Sequence, residues 1–143
     1  MALNSNAVLE ALRPHMEELG YQVERQNPKI KVSRPVLFGR NGGVTKSFEV
    51  DAFHPPTGTV VEIEAGQGVI NYKFLKDFFE CLCIQDAHYL VIGVLNEYKP
   101  PSKKGPAGNR DFDAVVTFFD SLFASQRFES PLEGILIIGY DNR

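Results

Sequence analysis

Apolar residues recur along this chain with two different periods. Across Ser5 to Leu19, Val8, Leu12, Met16 and Leu19 fall at helical spacing, with Asn4 or Ser5 placed to cap the first turn and Gly20 to end the last. Pro14 interrupts this segment and predicts a kink or two short helices, because proline removes one intrahelical hydrogen bond. From Ser47 to His54 and from Thr59 to Ala65 the pattern alternates residue by residue, and His54-Pro55-Pro56-Thr57-Gly58 has the composition of a hairpin loop. Alternation sends Val50 and Ala52 one way and Glu49, Asp51 and Phe53 the other. On the second strand Val61, Ile63 and Ala65 oppose Val60, Glu62 and Glu64. One face of this hairpin is expected to be apolar and the other to carry carboxylates.

The flanking segments complete the element order. Tyr21 to Glu24 reads as a short strand or a loop. Ile30, Val32 and Pro35 to Phe38 give a weaker strand, with Pro35 favouring an edge or a bulge, and Gly39 to Gly43 turns it back into the Ser47 strand. Beyond Glu64, Ala65-Gly66-Gln67-Gly68 allows a sharp turn into a helix from Asn71 to Gln85, capped by Asn71. Its apolar positions are Phe74, Leu75, Phe78, Phe79, Leu82 and Ile84; Lys73, Lys76, Asp77 and Glu80 form its polar strip. His88 to Leu95 is a continuous apolar run, as expected of a strand covered on both faces. A long loop from Asn96 to Arg110 leads to a helix from Asp111 to Ser125, buried through Val115, Phe118, Phe119 and Leu122, and Ile135 to Tyr140 is a last strand. The prediction is one α/β domain over residues 1–143, with a mixed central sheet flanked by helices.

Composition changes this picture little. With 43% hydrophobic and 23% charged residues, 143 residues suffice for an ordinary globular core. No signal-peptide pattern or membrane-length apolar run is present, so the expected compartment is the cytoplasm, without a membrane partner. Cys81 and Cys83 lie two apart on a helix and point to different sides, which predicts two buried free thiols.

Charge changes it more. A net charge of −3 argues against a nucleic-acid binder, yet ten of the fifteen basic residues lie in two segments free of acids, Arg25 to Lys46 and Lys99 to Arg110. Such segregation makes a local positive surface on an acidic protein. Arg34, Arg40 and Lys46 on the hairpin, and Lys103, Lys104 and Arg110 on the long loop, are the candidate phosphate contacts.

The histidines, His15, His54 and His88, are scattered; the serines have no evident base partner; and no glycine-rich phosphate loop leads into a helix. The carboxylates remain. Asp51, Glu62 and Glu64 on neighbouring strands repel one another unless a cation lies between them, and their oxygens suit Mg2+, Mn2+ or Ca2+ rather than zinc.

Asp51 at the end of one strand, Glu62-Ile63-Glu64 on the next and a helix after them resemble the PD-(D/E)xK nuclease superfamily, the restriction-endonuclease-like fold with an αβββαβ core. The resemblance implies a metal-dependent endonuclease that hydrolyses DNA phosphodiester bonds, of restriction type in its nearest form. It departs from the usual pattern at Val50, where a proline is common, and at Glu64, where lysine is usual; a Glu-x-Glu doublet as in BamHI belongs to the same superfamily. By this resemblance Asp51, Glu62 and the Ile63 carbonyl hold Mg2+, with Mn2+ as a substitute, and Glu64 binds a second ion or positions the attacking water. Lys73 supplies the missing positive charge, Gln67 orders the water or a phosphate, and Glu10 or Glu17 adds a ligand. Cutting both strands of a duplex would require a homodimer. Two other readings stand beside it: a non-catalytic nuclease-fold module that binds nucleic acid or protein, and a small α/β protein whose acidic face meets solvent.

Overall fold

The structure is a computed structural model that describes residues 3–66, 72–99 and 108–141. Helix α1 (Ser5–Glu18) starts at Asn4, whose side chain accepts the Ala7 N–H at 2.9 Å. It runs through Pro14 as one helix, where a kink or division was expected. It ends as predicted at Gly20, whose φ of +95° suits a residue without Cβ, and the Tyr21 N–H returns to the Met16 carbonyl at 3.0 Å. Its buried face is rotated from the predicted stripe: Val8, Leu9 and Arg13 are buried, whereas Leu12 and Leu19 are exposed. Arg13 turns inward because its guanidinium pairs with Glu10 and donates to the Glu24 carbonyl at 3.2 Å.

Two short strands, β1 (Gln22–Val23) and β2 (Arg25–Gln26), precede β3 (Lys29–Ile30). Strands β4 (Val32–Phe38) and β5 (Val44–Val50) then form the antiparallel arm expected from the glycine turn, with a register shift beside Pro35. The chain continues through β6 (Ala52–His54), β7 (Thr59–Ile63), helix α2 (Lys73–Cys83), β8 (Tyr89–Leu95), helix α3 (Asp111–Ala124) and β9 (Gly134–Tyr140). The main sheet has the order β1-β6-β7-β8-β9; β6 and β7 are antiparallel, whereas β7, β8 and β9 run parallel. Among the described residues this is a mixed α/β fold with a five-stranded sheet and three helices. None of those helices is long and apolar enough to cross a membrane.

Two cores cover the two faces of the sheet. Val8 and Leu9 of α1 pack with Val23, Ala52, Val61 and Ile63 on one side. On the other, Phe74, Phe78 and Cys81 of α2 and Val115 and Phe119 of α3 pack on Phe53, Val60, Leu90, Ile92 and Val94. The α3 stripe is the predicted one, and its ring edges meet those of α2, with Phe78 and Phe119 centroids 5.1 Å apart in a T-shaped contact.

Several expectations change here. The strand from Ser47 to His54 is broken at Asp51, where the chain leaves the β4–β5 arm for the main sheet. Val50 therefore shares the α2 side with Phe53, and Ala52 alone lies toward α1. On the carboxylate face Glu62 and Glu64 are buried, whereas Glu49 stays exposed and pairs with Lys31. Helix α2 itself starts at Lys73, after a left-handed Tyr72 with no side-chain cap, and the expected cap Asn71 lies outside the described residues. It buries Phe74, Asp77, Phe78 and Cys81 while Phe79 is exposed, so Asp77 leaves the polar strip for the interior. Cys81 is buried as expected, but Cys83 is exposed, on the far side of the same helix.

Candidate active site

Strand β7 carries the central acids to one end of the sheet. Because Val61 and Ile63 pack under α1, alternation turns Glu62 toward α2. Glu64, just past the strand, is fixed from its backbone: its N–H donates to the Gly93 carbonyl at 2.7 Å, and its own carbonyl accepts the Tyr140 hydroxyl at 2.5 Å. The chain then turns at Gly66, where φ is +116° and a Cβ would stand 2.3 Å from the Tyr98 ring, so glycine is required on both counts.

Asp51 occupies the break between β5 and β6. Freed from the strand ladder, its Oδ2 accepts the Ile63 N–H at 2.8 Å, which brings it beside Glu62. Glu24 lies in the corresponding break between β1 and β2, its N–H donating to the Asp51 carbonyl at 2.8 Å and its carboxyl within hydrogen-bonding reach of the Asp51 carboxyl. From α2, Lys73 places Nζ 3.6 Å from Glu64 Oε2. Asp77, one turn further on, reaches the Glu64 carboxyl, yet its Oδ2 is buried and accepts from no donor. Strand β5, with Lys46 and Phe48, forms one wall of a cleft of about 390 Å³ and α2, with Lys73, Lys76 and Glu80, forms the other; Glu24, Asp51, Glu62 and Asp77 also line it.

The electrostatics follow from packing these acids together out of water. Burial raises Glu62 well above the usual carboxylate range, and the charges of Asp51, Asp77 and Glu64 push it further. Glu64 is pushed up to about 9 by burial and then by its hydrogen bond to Asp77, with Lys73 opposing. Burial raises Asp51 too, against the opposing Ile63 N–H, and burial followed by the Asp51 charge raises Glu24. Burial alone would lower Lys73, but Glu64, Asp77, Asp51 and Glu62 outweigh it and hold the ammonium protonated.

Of the residues expected at the site, Asp51, Glu62, Ile63, Glu64 and Lys73 come together. Gln67, Lys103 and Lys104 lie outside the described residues. Lys46 borders the cleft and Arg40 is exposed at the tip of the β4–β5 arm. Arg34 is engaged inside the protein, pairing with Asp86 and lying 4.3 Å over the Phe53 ring. Arg110 pairs with Asp113 at 2.8 Å, at the start of α3. Glu10 is taken by Arg13, and neither it nor Glu17 lines the cleft. Glu24 and Asp77 were not foreseen. Asp77 had a signal, being the one acid among Phe74, Phe78 and Cys81 on a helix face three and four residues apart; Glu24 had none, since its place depends on a partner strand distant in sequence.

The side chains fit a hard divalent cation. All the donors are oxygens, five carboxyls are gathered with one lysine, and Asp77 Oδ2 is a buried acceptor without a donor. Among the described residues no three acids, histidines or cysteines converge on one point as a formed ligand shell; the carboxyls instead turn toward one another, Asp51 to Glu62 and Glu64 to Asp77. A cation would take the place of the protons shared within those pairs. Comparison with protein-family models, curated proteins and solved structures returns no match to this chain.

Proposed function

We propose that the protein is a divalent-metal-dependent endonuclease that hydrolyses DNA phosphodiester bonds, with a restriction-endonuclease-like αβββαβ core. One observation carries the reading: Asp51, Glu62 and Lys73 line a single cleft, with Glu64 3.6 Å from the Lys73 ammonium, and the packed acids hold protons that a cation would displace.

Asp51 and Glu62, with the Ile63 carbonyl, would hold Mg2+ or Mn2+. Such an ion, when bound, neutralises charge building on the phosphate and makes water more acidic. The protein's own residues do the rest. Lys73, held protonated, sets an ammonium beside Glu64, where lysine would stand in the usual motif; it faces the charge that develops on the phosphate oxygens. Glu64 orients the attacking water through its carboxyl oxygens. Lys46 and Lys76 border the cleft and Arg40 stands exposed on the arm beyond, which suits backbone phosphates. Cleavage of both strands would take two copies related by a two-fold axis.

The test is conversion of supercoiled plasmid with Mg2+ and with Mn2+, beside Glu62→Ala and Lys73→Ala. The expected result is metal-dependent nicking or linearisation lost by at least about a hundredfold in both variants, with DNA binding retained in Lys73→Ala. Absence of cleavage on diverse DNA, with no metal-induced rise in Tm, would leave the non-catalytic binding module as the better reading.

A further inference from the structure

The motif of Asp51, Glu62 and Glu64 ends before α2, yet α2 sends an acid into the cluster. Asp77 is only 7% exposed, lies between Phe74, Phe78 and Cys81 on the buried face of α2, and forms no ion pair among the described residues, the nearby Lys73 being paired with Glu64; its Oδ2 accepts no hydrogen bond. A carboxylate in such a place is costly unless a cation uses it. Its neighbour is Glu64, just as Glu62 is the neighbour of Asp51, with Glu24 on the far side of Asp51, so the cluster has an Asp51 group and a Glu64–Asp77 pair.

Charge sets how many ions such a cleft needs. Five ionised carboxylates, those of Glu24, Asp51, Glu62, Glu64 and Asp77, outweigh Lys73 by four charges. One divalent cation leaves the group with two negative charges and repelling a phosphodiester, whereas two bring it to neutrality. We infer that Asp77 is a metal ligand that nothing in the three-residue motif supplies, and that it holds with Glu64 a second divalent cation beside the one held by Asp51 and Glu62. The inference rests on the nuclease reading and deepens it. Asp77 is thereby the reason Glu64 can replace the usual lysine: a carboxylate at that position becomes useful once a second acid stands opposite it, and Lys73 takes over the positive charge.

Binding of Mn2+ to the full chain in the absence of DNA tests this, counted by isothermal titration and by loss of the free-ion electron paramagnetic resonance signal. The wild type should bind two ions per chain, and Asp77→Asn should bind one. Circular dichroism and the metal-free Tm check that the variant folds; should it not, Glu64→Gln gives an independent removal from the same pair and should also leave one ion. Two ions retained in Asp77→Asn would overturn the inference and reduce Asp77 to a residue that positions Glu64. One ion in the wild type would also overturn it while leaving the proposed function intact, and none in the wild type would overturn both.

Discussion

At Glu64 two effects of the fold meet, since burial and Asp77 hold its carboxyl up to about 9 while Lys73 stands 3.6 Å away. A carboxyl whose folded value lies above its unfolded value of about 4.5 takes up a proton on folding. Below that unfolded value both states are protonated and the favourable contribution is complete. As pH rises toward 9 the unfolded chain releases its proton while the folded chain keeps it, so stability falls across this window; Glu62, Asp51 and Glu24 shift in the same direction. The metal-free protein is therefore expected to lose Tm steadily from about pH 5 to pH 9. Glu64→Gln should flatten that slope and raise stability at pH 8 by more than about 1 kcal/mol, a tenfold change in proton affinity being worth about 1.4 kcal/mol. Mg2+ should flatten the slope in the wild type. Urea denaturation at several pH values, with and without Mg2+, measures all three. A stability profile that rises over the same window would show that the acids are not packed as described.

Among the elements, α1 shows how one polar contact can turn a helix. The stripe of Val8, Leu12, Met16 and Leu19 was the natural reading, because helical spacing rewards it. Burial of Arg13 in place of Leu12 follows from its hydrogen bond to the Glu24 carbonyl, which ties α1 to the break that presents Glu24 to Asp51. Arg13→Ala should cost about 2 kcal/mol, because it leaves a part-buried carbonyl without its donor and removes packed side-chain volume. Glu10→Ala should cost clearly less, since Glu10 is exposed and its loss leaves the bond to Glu24 in place. Chemical denaturation of both variants checks the order, and equal losses would locate the effect in the ion pair instead. Helix α2 makes the same point through Asp77: hydrophobicity alone would have buried Phe79, but the side of the helix that faces the acids of β7 is the one that carries Asp77.

Across the whole molecule, the chain is acidic in total and basic in places. Packing has already used some of the basic residues: Arg34 on Asp86 and Phe53, Lys31 on Glu49 at 2.9 Å, and Arg110 on Asp113. Lys46 and Lys76 border the acid cleft, and Arg40 extends from the arm. If DNA lies across this cleft, Lys46→Ala and Arg40→Ala should each weaken binding about equally for all sequences and each reduce the slope of log affinity against log salt by about 1. Arg34→Ala should leave that slope unchanged and act on stability. Fluorescence anisotropy with a labelled duplex over a salt series separates these outcomes, and an unchanged slope in Lys46→Ala would move the DNA path away from the cleft.

Periodicity and turn residues were enough to read the three helices, the hairpin at His54 to Gly58 and the two apolar strands β8 and β9, because each is encoded over a few neighbouring residues and survives any reasonable packing. Folding in three dimensions settled the rest. It broke the strand at Asp51, where leaving one sheet for another releases a side chain from strict alternation. It rotated α1 about Arg13 and turned Asp77 inward. It drew Glu24 to Asp51 across twenty-seven residues of chain. These are choices between faces of comparable hydrophobicity, and a hydrogen bond or a shared proton between segments remote in sequence decides them, a term that no local window contains.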